Sequence, residues 1–403
     1  MTKPNITQAL QNRVTAQGIH YSLENVHDSL IQWGNPHLNL PPIIHIAGTN
    51  GKGSVVAFIE SALLSLGYTT GTYTSPHLIS YCERYRLNGI PISESELSHY
   101  YDKVKHLQTA TEFELLTLMA WHYFKDKQPD YLIIETGLGG RLDATNVITP
   151  ILSIITRIGL DHQAILGDTI PKIAAEKAGI IKPKIPIITG IQKPEALQII
   201  KKEAMQKNSP LIIASPVTEI PTHYTLQGHF QKENLSIAKA AITHLFGQEK
   251  LKEAEAGFAA ATNWGRYTTI TPNQTHTVIF DAGHNEDGII ATLETIKTMY
   301  PNRHLRIIVG FKQQKNAREM MSRLTKASQD TCYCEFDSQW AMSYGEVCQL
   351  SDIPLPPIDI DTTLSLILKH HPNTQEVTLI TGSIYFIGKL KELLQIGYSI
   401  KTP

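Results

Sequence analysis

The segment His45-Ile-Ala-Gly-Thr-Asn-Gly-Lys-Gly-Ser54 combines glycine, lysine and hydroxyl groups in a pattern that can bind phosphate. Residues 43–47 predict a short buried strand before it, and apolar residues at helical spacing follow it until Gly67. The glycine-rich turn is therefore expected at a helix N-terminus, where backbone N–H groups and the helix dipole attract phosphate oxygens. Lys52 would add a mobile positive charge, and Ser54 could reach a magnesium ion.

This spelling differs from the strict P-loop pattern. Gly48 stands too close to Gly51, and Gly53 separates Lys52 from Ser54. The alternative interpretation is a glycine-rich turn that simply tightens a strand-to-helix connection. The strand-turn-helix context favours nucleotide binding, and other parts of the chain bear on the choice.

Polar side chains follow several of the other predicted strands. Glu135 ends the apolar segment that begins at Asp130, Asp161-His162 follows the next strand, and Ser75 follows the strand after the glycine-rich turn. Ligands of open parallel sheets gather at the carboxyl ends of the strands, so these groups could converge on a hard cation that carries ATP phosphates. A lone histidine after a strand is more often a hydrogen-bonded core or loop residue, whereas beside the glycine-rich turn and Glu135 a metal contact of His162 is favoured.

Two further segments have both a functional and a plain interpretation. The segment 137–146 is rich in glycine and small polar residues, which suits a loop that approaches a ligand closely but also suits a tight connection. Lys177 lies in the predicted last turn of a helix, where a lysine commonly offsets the helix dipole. Chemistry alone does not single it out.

The elements that would position these residues alternate between strand and helix. After the glycine-rich turn, strands are predicted at 69–74, 130–135, 152–156, 185–190 and 211–214, with a loop and hairpin at 75–92. A second series has strands at 278–281, 305–309, 331–336 and 377–381. This order predicts an α/β fold: a P-loop-type, mostly parallel sheet domain flanked by helices, then a smaller Rossmann-like α/β domain. We expect domains at 1–264, which binds ATP, and 265–403.

The overall composition limits the classes of function. A chain of 403 residues with a formal net charge of −1 has no general attraction for nucleic acid or anionic membranes, so small polar substrates are expected. The first residues lack the apolar core of a signal peptide, which predicts a cytoplasmic protein. Four cysteines do not make a disulfide framework, and we interpret Cys332 and Cys334 as strand residues.

Taken together, these motifs resemble the folylpolyglutamate synthase and dihydrofolate synthase branch of the Mur ligase superfamily over nearly the whole chain. The segments that carry the resemblance lie at 45–54, 74–78, 83–89, 111–114, 135–146, 159–162 and 176–180.

The resemblance implies an ATP-dependent ligase that forms carbon–nitrogen bonds, with both substrates bound between two domains. In that family the γ-phosphate of ATP passes to a carboxylate, and the amine of L-glutamate attacks the resulting acyl phosphate. The acid would be dihydropteroate, and reduced folates in the folylpolyglutamate synthase reaction. Such chemistry needs neutralisation of the transferring phosphoryl group and exclusion of water.

The site residues implied by the resemblance fall into four groups. Catalytic roles are implied for Lys52, His162 and Lys177. ATP contacts are implied for Asn50, Gly51, Lys52, Gly53, Ser54, Asn234, Arg266, Asp281 and His284. Magnesium ligands are implied at Ser54, Ser75, Glu135, His162 and Lys177, the last as a carbamylated lysine. Substrate contacts are implied for Arg84, Thr111, Phe113, Asp143 and Ser383, with Thr111, Phe113 and Asp143 holding the pterin.

The second half departs from the family's usual spelling at three places. Trp264-Gly265-Arg266 lacks the family's proline, residues 281–286 read Asp-Ala-Gly-His-Asn-Glu, and the family's Lys-Asp pair is Lys315-Asn316. Arg266, Asp281 and His284 keep their types, so their roles are still expected.

Several alternatives remain at this stage. A monofunctional folylpolyglutamate synthase or another Mur-type acid–amino-acid ligase would share the same motifs. A nucleotide-binding switch without chemistry is a third class, against which Glu135, His162 and Lys177 argue. A monomer is expected from the resemblance, whereas a monovalent-cation requirement, the folate preference, the polyglutamate length and the linkage are open.

Overall fold

A computed structural model of the chain describes residues 6–17, 23–107, 110–271, 276–313, 317–336, 341–368 and 375–397. The chain folds as two compact units. The first unit contains the chain up to Glu219 together with His223–Thr225 and Lys232–Ala261. The second contains Ile220–Thr222, Leu226–Gln231 and the chain from Thr262 onward.

The first unit is a sheet with helices packed on it. Its strands are β1 (Ile43–Ala47), β2 (Thr70–Tyr73), β3 (Tyr85–Leu87), β4 (Ile90–Pro91), β5 (Tyr131–Glu135), β6 (Leu152–Ile155), β7 (Ile187–Thr189) and β8 (Leu211–Ile213). Its helices are α1 (Ile6–Gln17), α2 (Glu24–Gln32), α3 (Lys52–Ser65), α4 (Glu94–Val104), α5 (Glu112–Lys127), α6 (Gln163–Leu166), α7 (Ile170–Ala178), α8 (Pro194–Gln206), α9 (Gln231–Glu253) and α10 (Glu255–Ala260).

Strand order in this sheet is β4-β3-β2-β5-β1-β6-β7-β8. The pairs from β2 to β8 are parallel, and the β3–β4 hairpin is added antiparallel to β2. In the register of β1 and β5, Ile46 pairs with Glu135, so the end of β5 lies beside the start of the glycine-rich turn. The carboxyl ends of β1, β5 and β6 therefore share one edge, as predicted.

Burial explains why β1 occupies the centre of this sheet. All five residues of β1 are buried, and α3 is buried around most of its circumference from Ser54 to Leu63. A strand that is covered on both faces reads as a continuous apolar run, which is the pattern of a parallel sheet flanked by helices. This packing fixes the start of α3 relative to β1.

The second unit is a smaller sheet with its own helices. Its strands are β9 (Thr268–Ile270), β10 (His276–Phe280), β11 (His304–Val309), β12 (Thr331–Cys334), β13 (Pro357–Ile358) and β14 (Glu376–Thr381). Its helices are α11 (Glu286–Met299), α12 (Ala317–Ala327), α13 (Tyr344–Cys348), α14 (Ile360–Leu368) and α15 (Ile384–Gly397). Strand order is β13-β12-β11-β14-β10-β9, and β9 alone is antiparallel within these described strands.

The predicted fold class is confirmed, with a few local differences. Helix α7 ends at Ala178 and so places Lys177 in its last turn, as predicted. The strands β9 and β13 were not predicted, because segments of three and two residues carry little periodicity. Gly247 within α9 has a non-helical φ of 84°. Lys315-Asn316 lies outside the described residues. In the described chain, every helix is too short or too polar to cross a membrane.

Candidate functional site

The glycine-rich turn joins β1 to α3 at the N-terminus of that helix. Gly51 is the residue before the helix and has φ of 94°, a left-handed conformation that glycine adopts without strain. A Cβ atom at Gly51 would also collide with the side chain of Asn234, so the turn has no room for a larger residue. The predicted strand-turn-helix arrangement is present, and Asn234 of α9 lies beside the turn.

Lys52 folds back over this turn. Its Nζ donates to the carbonyl oxygens of Gly48 at 3.1 Å and Thr49 at 3.4 Å, and lies 3.9 Å from Glu135 Oε1. The side chain is 17% exposed, so the charge is shielded but reachable. An ammonium held beside backbone N–H groups can neutralise a phosphoryl group there.

A hydrogen-bonded clamp joins the turn to the loop that follows β6. The hydroxyl of Thr49 donates to Gly159 O and accepts from Gly159 N, both at 3.1 Å. The amides of Thr49 and Asn50 donate to Arg157 O at 2.9 and 3.2 Å. The position of the loop that carries His162 is therefore tied to the phosphate-binding turn.

Ser75 and Glu135 meet at the edge of the same sheet. The amide of Ser75 donates to Glu135 Oε2 at 3.2 Å, and Glu135 is 4% exposed. Hydroxyl and carboxylate oxygens are the ligands that Mg²⁺ prefers, and the roles of Ser54, Ser75 and Glu135 as its ligands stay predictions. Within the described ranges no group of three or more His, Cys, Asp or Glu side chains could hold a metal ion, so serine and phosphate oxygens would complete the coordination.

His162 precedes the short helix α6 with φ of 48° and ψ of 37°. Its ring Nε2 lies 3.9 Å from Asp161 Oδ1, and its side chain is 54% exposed. Histidine is one of the residues other than glycine that adopt this left-handed conformation more often than most. The role of His162 as a metal ligand stays a prediction.

Lys177 lies in the last turn of α7, as predicted, but it is buried. Its Nζ donates to Gly48 O at 2.9 Å, and the residue is 4% exposed. Burial, and after it the nearby charge of Lys52, lower the pKa of Lys177 to about 7. Lys177 is therefore not a solvated lysine that only offsets the helix dipole. Its amine faces the phosphate-binding turn and is readily deprotonated.

The predicted pterin residues Thr111 and Phe113 lie at the start of α5. Thr111 caps the helix by accepting the Glu114 amide, and Glu114 Oε2 accepts the Thr111 amide at 2.7 Å. The ring of Phe113 packs on Gly137, where a Cβ atom would collide with it. Close approach of the loop after β5 to Phe113 therefore requires glycine there.

Asp143 lies in that loop and caps the short turn Ala144–Val147. Its carboxylate accepts from Leu138 N at 2.8 Å, Thr145 N at 3.0 Å and Thr145 Oγ1 at 2.5 Å. Burial raises the pKa of Asp143, while the hydrogen bonds from Thr145 and the loop amides oppose that rise. Much of its acceptor capacity serves its own loop, and the pterin contact stays a prediction.

Arg84 is buried in a polar cluster that sequence reasoning did not assemble. Its Nε donates to His77 Nδ1 at 2.9 Å, and its guanidinium lies 5.3 Å from the centre of the Tyr81 ring. Glu83 accepts the amides of residues 78, 79 and 80, at 3.0, 2.9 and 3.0 Å, and so shapes the loop after Ser75. His77 and Arg84 lie in two of the segments that carry the family resemblance, 74–78 and 83–89, but their spacing in the sequence gives no sign of this contact.

Within the second unit, Asp281 organises the loop after β10. It accepts from Tyr267 N, Gly283 N and Thr292 Oγ1, each at 3.0 Å. Burial raises the pKa of Asp281, and the charge of Arg266 opposes the rise. Arg266 and Asp281, which are 15 positions apart in sequence, are thus brought into electrostatic contact.

His284 and Ser383 complete the residues predicted in this unit. His284 Nδ1 lies 3.0 Å from Ala282 O, which can only accept, so Nδ1 carries the hydrogen and Nε2 is the other reactive nitrogen. Ser383 is 2% exposed, and its hydroxyl accepts the Tyr385 amide at 3.2 Å. Both roles stay predictions.

Known proteins match the chain over nearly its whole length. The Mur ligase middle domain family matches residues 46–242, and the Mur ligase glutamate ligase domain family matches residues 265–349. The dihydrofolate synthase/folylpolyglutamate synthase of Bacillus subtilis is 35% identical over 94% of this chain and 96% of its own length. The chain belongs to the dihydrofolate synthase/folylpolyglutamate synthase family of Mur ligases. It is an ATP-dependent ligase.

Solved structures of family members have the same fold. The folylpolyglutamate synthase of Mycobacterium tuberculosis, complexed with ADP and AMPPCP, has a TM-score of 0.86 at 27% identity, covering 96% of this chain and 99% of its own. A bifunctional folylpolyglutamate synthase/dihydrofolate synthase with Mn, AMPPNP and L-glutamate bound has a TM-score of 0.83 at 25% identity, covering 98% of each chain. An ATP-binding ligase that uses a divalent metal is therefore supported.

Two of the places where this family member departs from the usual spelling contact each other. Gly265 has φ of 79°, and its carbonyl accepts the Ala282 amide at 2.8 Å. The Gly265 amide donates to Thr268 Oγ1 at 2.9 Å. The missing proline and the reordered Asp-Ala-Gly are thus accommodated in one hydrogen-bonded turn that keeps Arg266 near Asp281.

Proposed function

We propose that the protein joins L-glutamate to dihydropteroate, as a dihydrofolate synthase, and adds L-glutamate to reduced folates, as a folylpolyglutamate synthase. The observation that carries this proposal is the 35% identity over 96% of the length of the Bacillus subtilis protein, whose name contains both activities. The residues expected to hold a pterin, Thr111, Phe113 and Asp143, support the dihydropteroate reaction.

The proposed reaction proceeds through an acyl phosphate. The γ-phosphoryl group of ATP passes to the carboxylate of the acid, and ADP leaves. The amine of L-glutamate then attacks the activated carbonyl, so that an amide forms and inorganic phosphate is released. Lys52, whose Nζ lies over the turn, would neutralise the charge that spreads over the transferring group.

The oxygen donors of Ser54, Ser75 and Glu135, with His162, would hold Mg²⁺. The ion would shield the charges of the phosphate oxygens. Glu135 is buried and lies 3.9 Å from the Lys52 ammonium, which balances the charge of its carboxylate. A monovalent cation is a further candidate cofactor, to be tested by replacing potassium with choline.

Lys177 is proposed to carry a carbamate. A neutral amine attacks CO₂, and loss of one proton leaves a carbamate anion. Because the pKa of Lys177 is lowered to about 7, a large fraction of the amine is neutral near physiological pH. The product would carry a negative charge beside the turn, where it can help to position a cation and would attract Lys52 rather than repel it.

The remaining roles are proposed for each unit separately. In the first unit we propose nucleotide contacts at Asn50, Gly51, Gly53, Ser54 and Asn234, and a substrate contact at Arg84. In the second we propose nucleotide contacts at Arg266, Asp281 and His284, and an amino-acid contact at Ser383. We also propose domain limits of 1–264 and 265–403, a monomer, and a cytoplasmic location without nucleic-acid or membrane partners. Light scattering tests the monomer.

Product analysis tests the function. Purified protein is incubated with ATP, Mg²⁺ and L-glutamate, and with either dihydropteroate or tetrahydrofolate, and the products are identified by mass spectrometry. Glutamylated products from both acids support the bifunctional enzyme. Product from tetrahydrofolate alone would indicate a monofunctional folylpolyglutamate synthase. If the protein binds ATP but forms no product from either acid, the folate assignment is wrong, and the protein is a Mur-type ligase for another acid.

A further inference from the structure

His45 lies inside β1 and has no part in the chemistry proposed above. It is fully buried, and its strand neighbours in register are Ile134 on β5 and Ser153 on β6. Burying an imidazole among apolar strands costs free energy unless its polar atoms are hydrogen-bonded. The contacts of the ring therefore indicate what it does.

The ring is connected to Asp143 through one residue. His45 Nε2 lies 2.9 Å from Thr145 Oγ1, which in turn lies 2.5 Å from Asp143 Oδ1. Thr145 is fully buried and Asp143 is 4% exposed, so water does not compete for these hydrogen bonds. The three side chains form a relay from the centre of the sheet to the loop that faces Phe113.

The donor and acceptor in each hydrogen bond of this relay follow from the Asp143 carboxyl group at its end. The carboxyl oxygens of Asp143 accept from the amides of Leu138 and Thr145 and from the Thr145 hydroxyl, so that hydroxyl has given its one hydrogen and must accept from His45 Nε2. His45 is therefore the Nε2–H tautomer. Its Nδ1 is buried and has no hydrogen-bond partner in the part of the chain that the structure describes, as expected for a bare lone pair. Burial, reinforced by Lys182, lowers the pKa of His45 to about 3, so the ring stays neutral.

We propose that His45 is a positioning residue for the pterin end of the substrate, acting through Thr145 on the carboxylate of Asp143. The substrate part of this inference rests on the proposed function. Donors from Thr145, Leu138 and Gly137 surround a carboxylate that offers about four acceptor positions, so a pterin N–H must share an oxygen with them. Binding then depends on how the carboxylate is oriented, which is what the relay fixes.

The other charged or titratable groups near the relay are few. The charge of Asp143 raises the pKa values of Lys177 and Tyr73, and the charge of Lys182 lowers the pKa of His45. Lys182 Nζ donates to Asn146 O at 2.8 Å, at the end of the same loop. None of these groups donates to Asp143 in the described contacts, so the Thr145 hydroxyl is the side-chain donor that sets its orientation.

The first test uses a matched pair at Thr145. Thr145→Val keeps the shape and removes the hydroxyl, whereas Thr145→Ser keeps the hydroxyl. We expect Thr145→Val to raise the KM for dihydropteroate roughly tenfold, the loss of one hydrogen bond to a charged group, with the KM for ATP unchanged. Thr145→Ser should restore most of the affinity. Equal rises in both KM values would overturn the proposal.

The second test removes the donor at the other end. His45→Phe keeps a ring without an N–H, and His45→Gln offers a replacement N–H. The KM for dihydropteroate should rise with His45→Phe, recover in part with His45→Gln, and rise no further when His45→Phe is added to Thr145→Val. Additive effects would overturn the relay.

The pH profile gives a further readout. The acidic limb of kcat/KM for dihydropteroate should move to higher pH in Thr145→Val, because a lost donor raises the pKa of Asp143.

A third measurement needs no turnover and stays informative if a variant folds poorly. In nitrogen-15 histidine-labelled wild type, His45, assigned by its loss in His45→Gln, should be an Nε2–H imidazole that stays neutral at pH 5. An Nδ1–H tautomer, or protonation near pH 6, would overturn the relay even if the enzyme uses pterins. Conversely, wild-type protein inactive on every pterin acid would refute the substrate assignment, whatever the tautomer.

Discussion

Lys52 and Lys177 donate to the same carbonyl oxygen, that of Gly48, at 3.1 and 2.9 Å. One lysine comes from the start of α3 and the other from the end of α7, so two helices direct their amines at one point beneath the glycine-rich turn. Two ammonium groups that share one acceptor repel each other. This repulsion is the second cause, after burial, of the lowered pKa of Lys177, about 7. Either phosphate or a carbamate would relieve that repulsion.

Lys52→Ala should abolish ligation and leave the fold intact. The residue is at the first turn of α3, and its side chain is partly exposed, so its loss removes a charge rather than core packing. We expect kcat to fall by roughly 10²–10³-fold with both acids, because a preorganised group that stabilises developing charge is lost. Turnover is measured by phosphate release and the fold by circular dichroism, with the exposed Lys201→Ala on α8 as the control. Wild-type turnover in Lys52→Ala would reject the phosphate-binding role.

Lys177→Met should separate the carbamate from a merely structural lysine. The methionine fills the buried volume, and Gly48 O keeps Lys52 as a donor, so the melting temperature should change little. Turnover should fall severely, and acetate or formate should restore part of it in the smaller Lys177→Ala. Wild type should show a carbamate on Lys177, either as extra electron density in a crystal structure or as a carbon-13 NMR signal. Both should be absent in Lys177→Met. A free ammonium in the active enzyme would contradict the carbamate while leaving the ligase assignment intact.

Asp143→Ala should impair the use of dihydropteroate more than the binding of ATP, because the proposed partner is the pterin ring. Asp143 also caps its own loop, so Asp143→Asn, which keeps the size but not the charge, is the informative companion. We expect both variants to raise the KM for dihydropteroate, while the dissociation constant of ATP, measured by calorimetry, stays near that of wild type. Equal losses in nucleotide affinity would show that the loop, and not the pterin contact, is what the carboxylate supports.

Acid should destabilise the first unit partly through His122. This residue of α5 packs edge-on against Trp33 at 4.9 Å between ring centres. Burial, and after it the charge of Lys103, lower the pKa of His122 to about 4. Between pH 6.5 and about 4 the unfolded chain binds more protons at this histidine than the folded protein does, so its contribution to stability falls as the pH falls through that window. His122→Phe should flatten this fall without changing stability at pH 8. Urea unfolding followed by tryptophan fluorescence measures it, and parallel pH curves for the two proteins would contradict the prediction.

The sequence determined the fold class and most of the strands, because alternation between apolar strands and amphipathic helices is a local property of the chain. It also located the phosphate-binding turn, since the glycine-rich turn and the helix that follows it are contiguous at 45–66. The strands β9 and β13 could not be predicted, because a strand of two or three residues is too short to show alternation of apolar and polar side chains.

The tertiary structure decided what each remaining residue faces. Sequence spacing placed Lys177 on a helix end and allowed a solvated ammonium, whereas the packing of α7 buries its amine against Gly48, 129 positions away. Likewise the sequence shows His45 only as one residue of a strand, whereas in the fold the loop after β5 places Thr145, 100 positions away, beside its ring. Hydrogen bonds of this kind depend on the register of strands and on the course of loops, which no single segment encodes, because they exist only when distant segments are packed together and water is excluded.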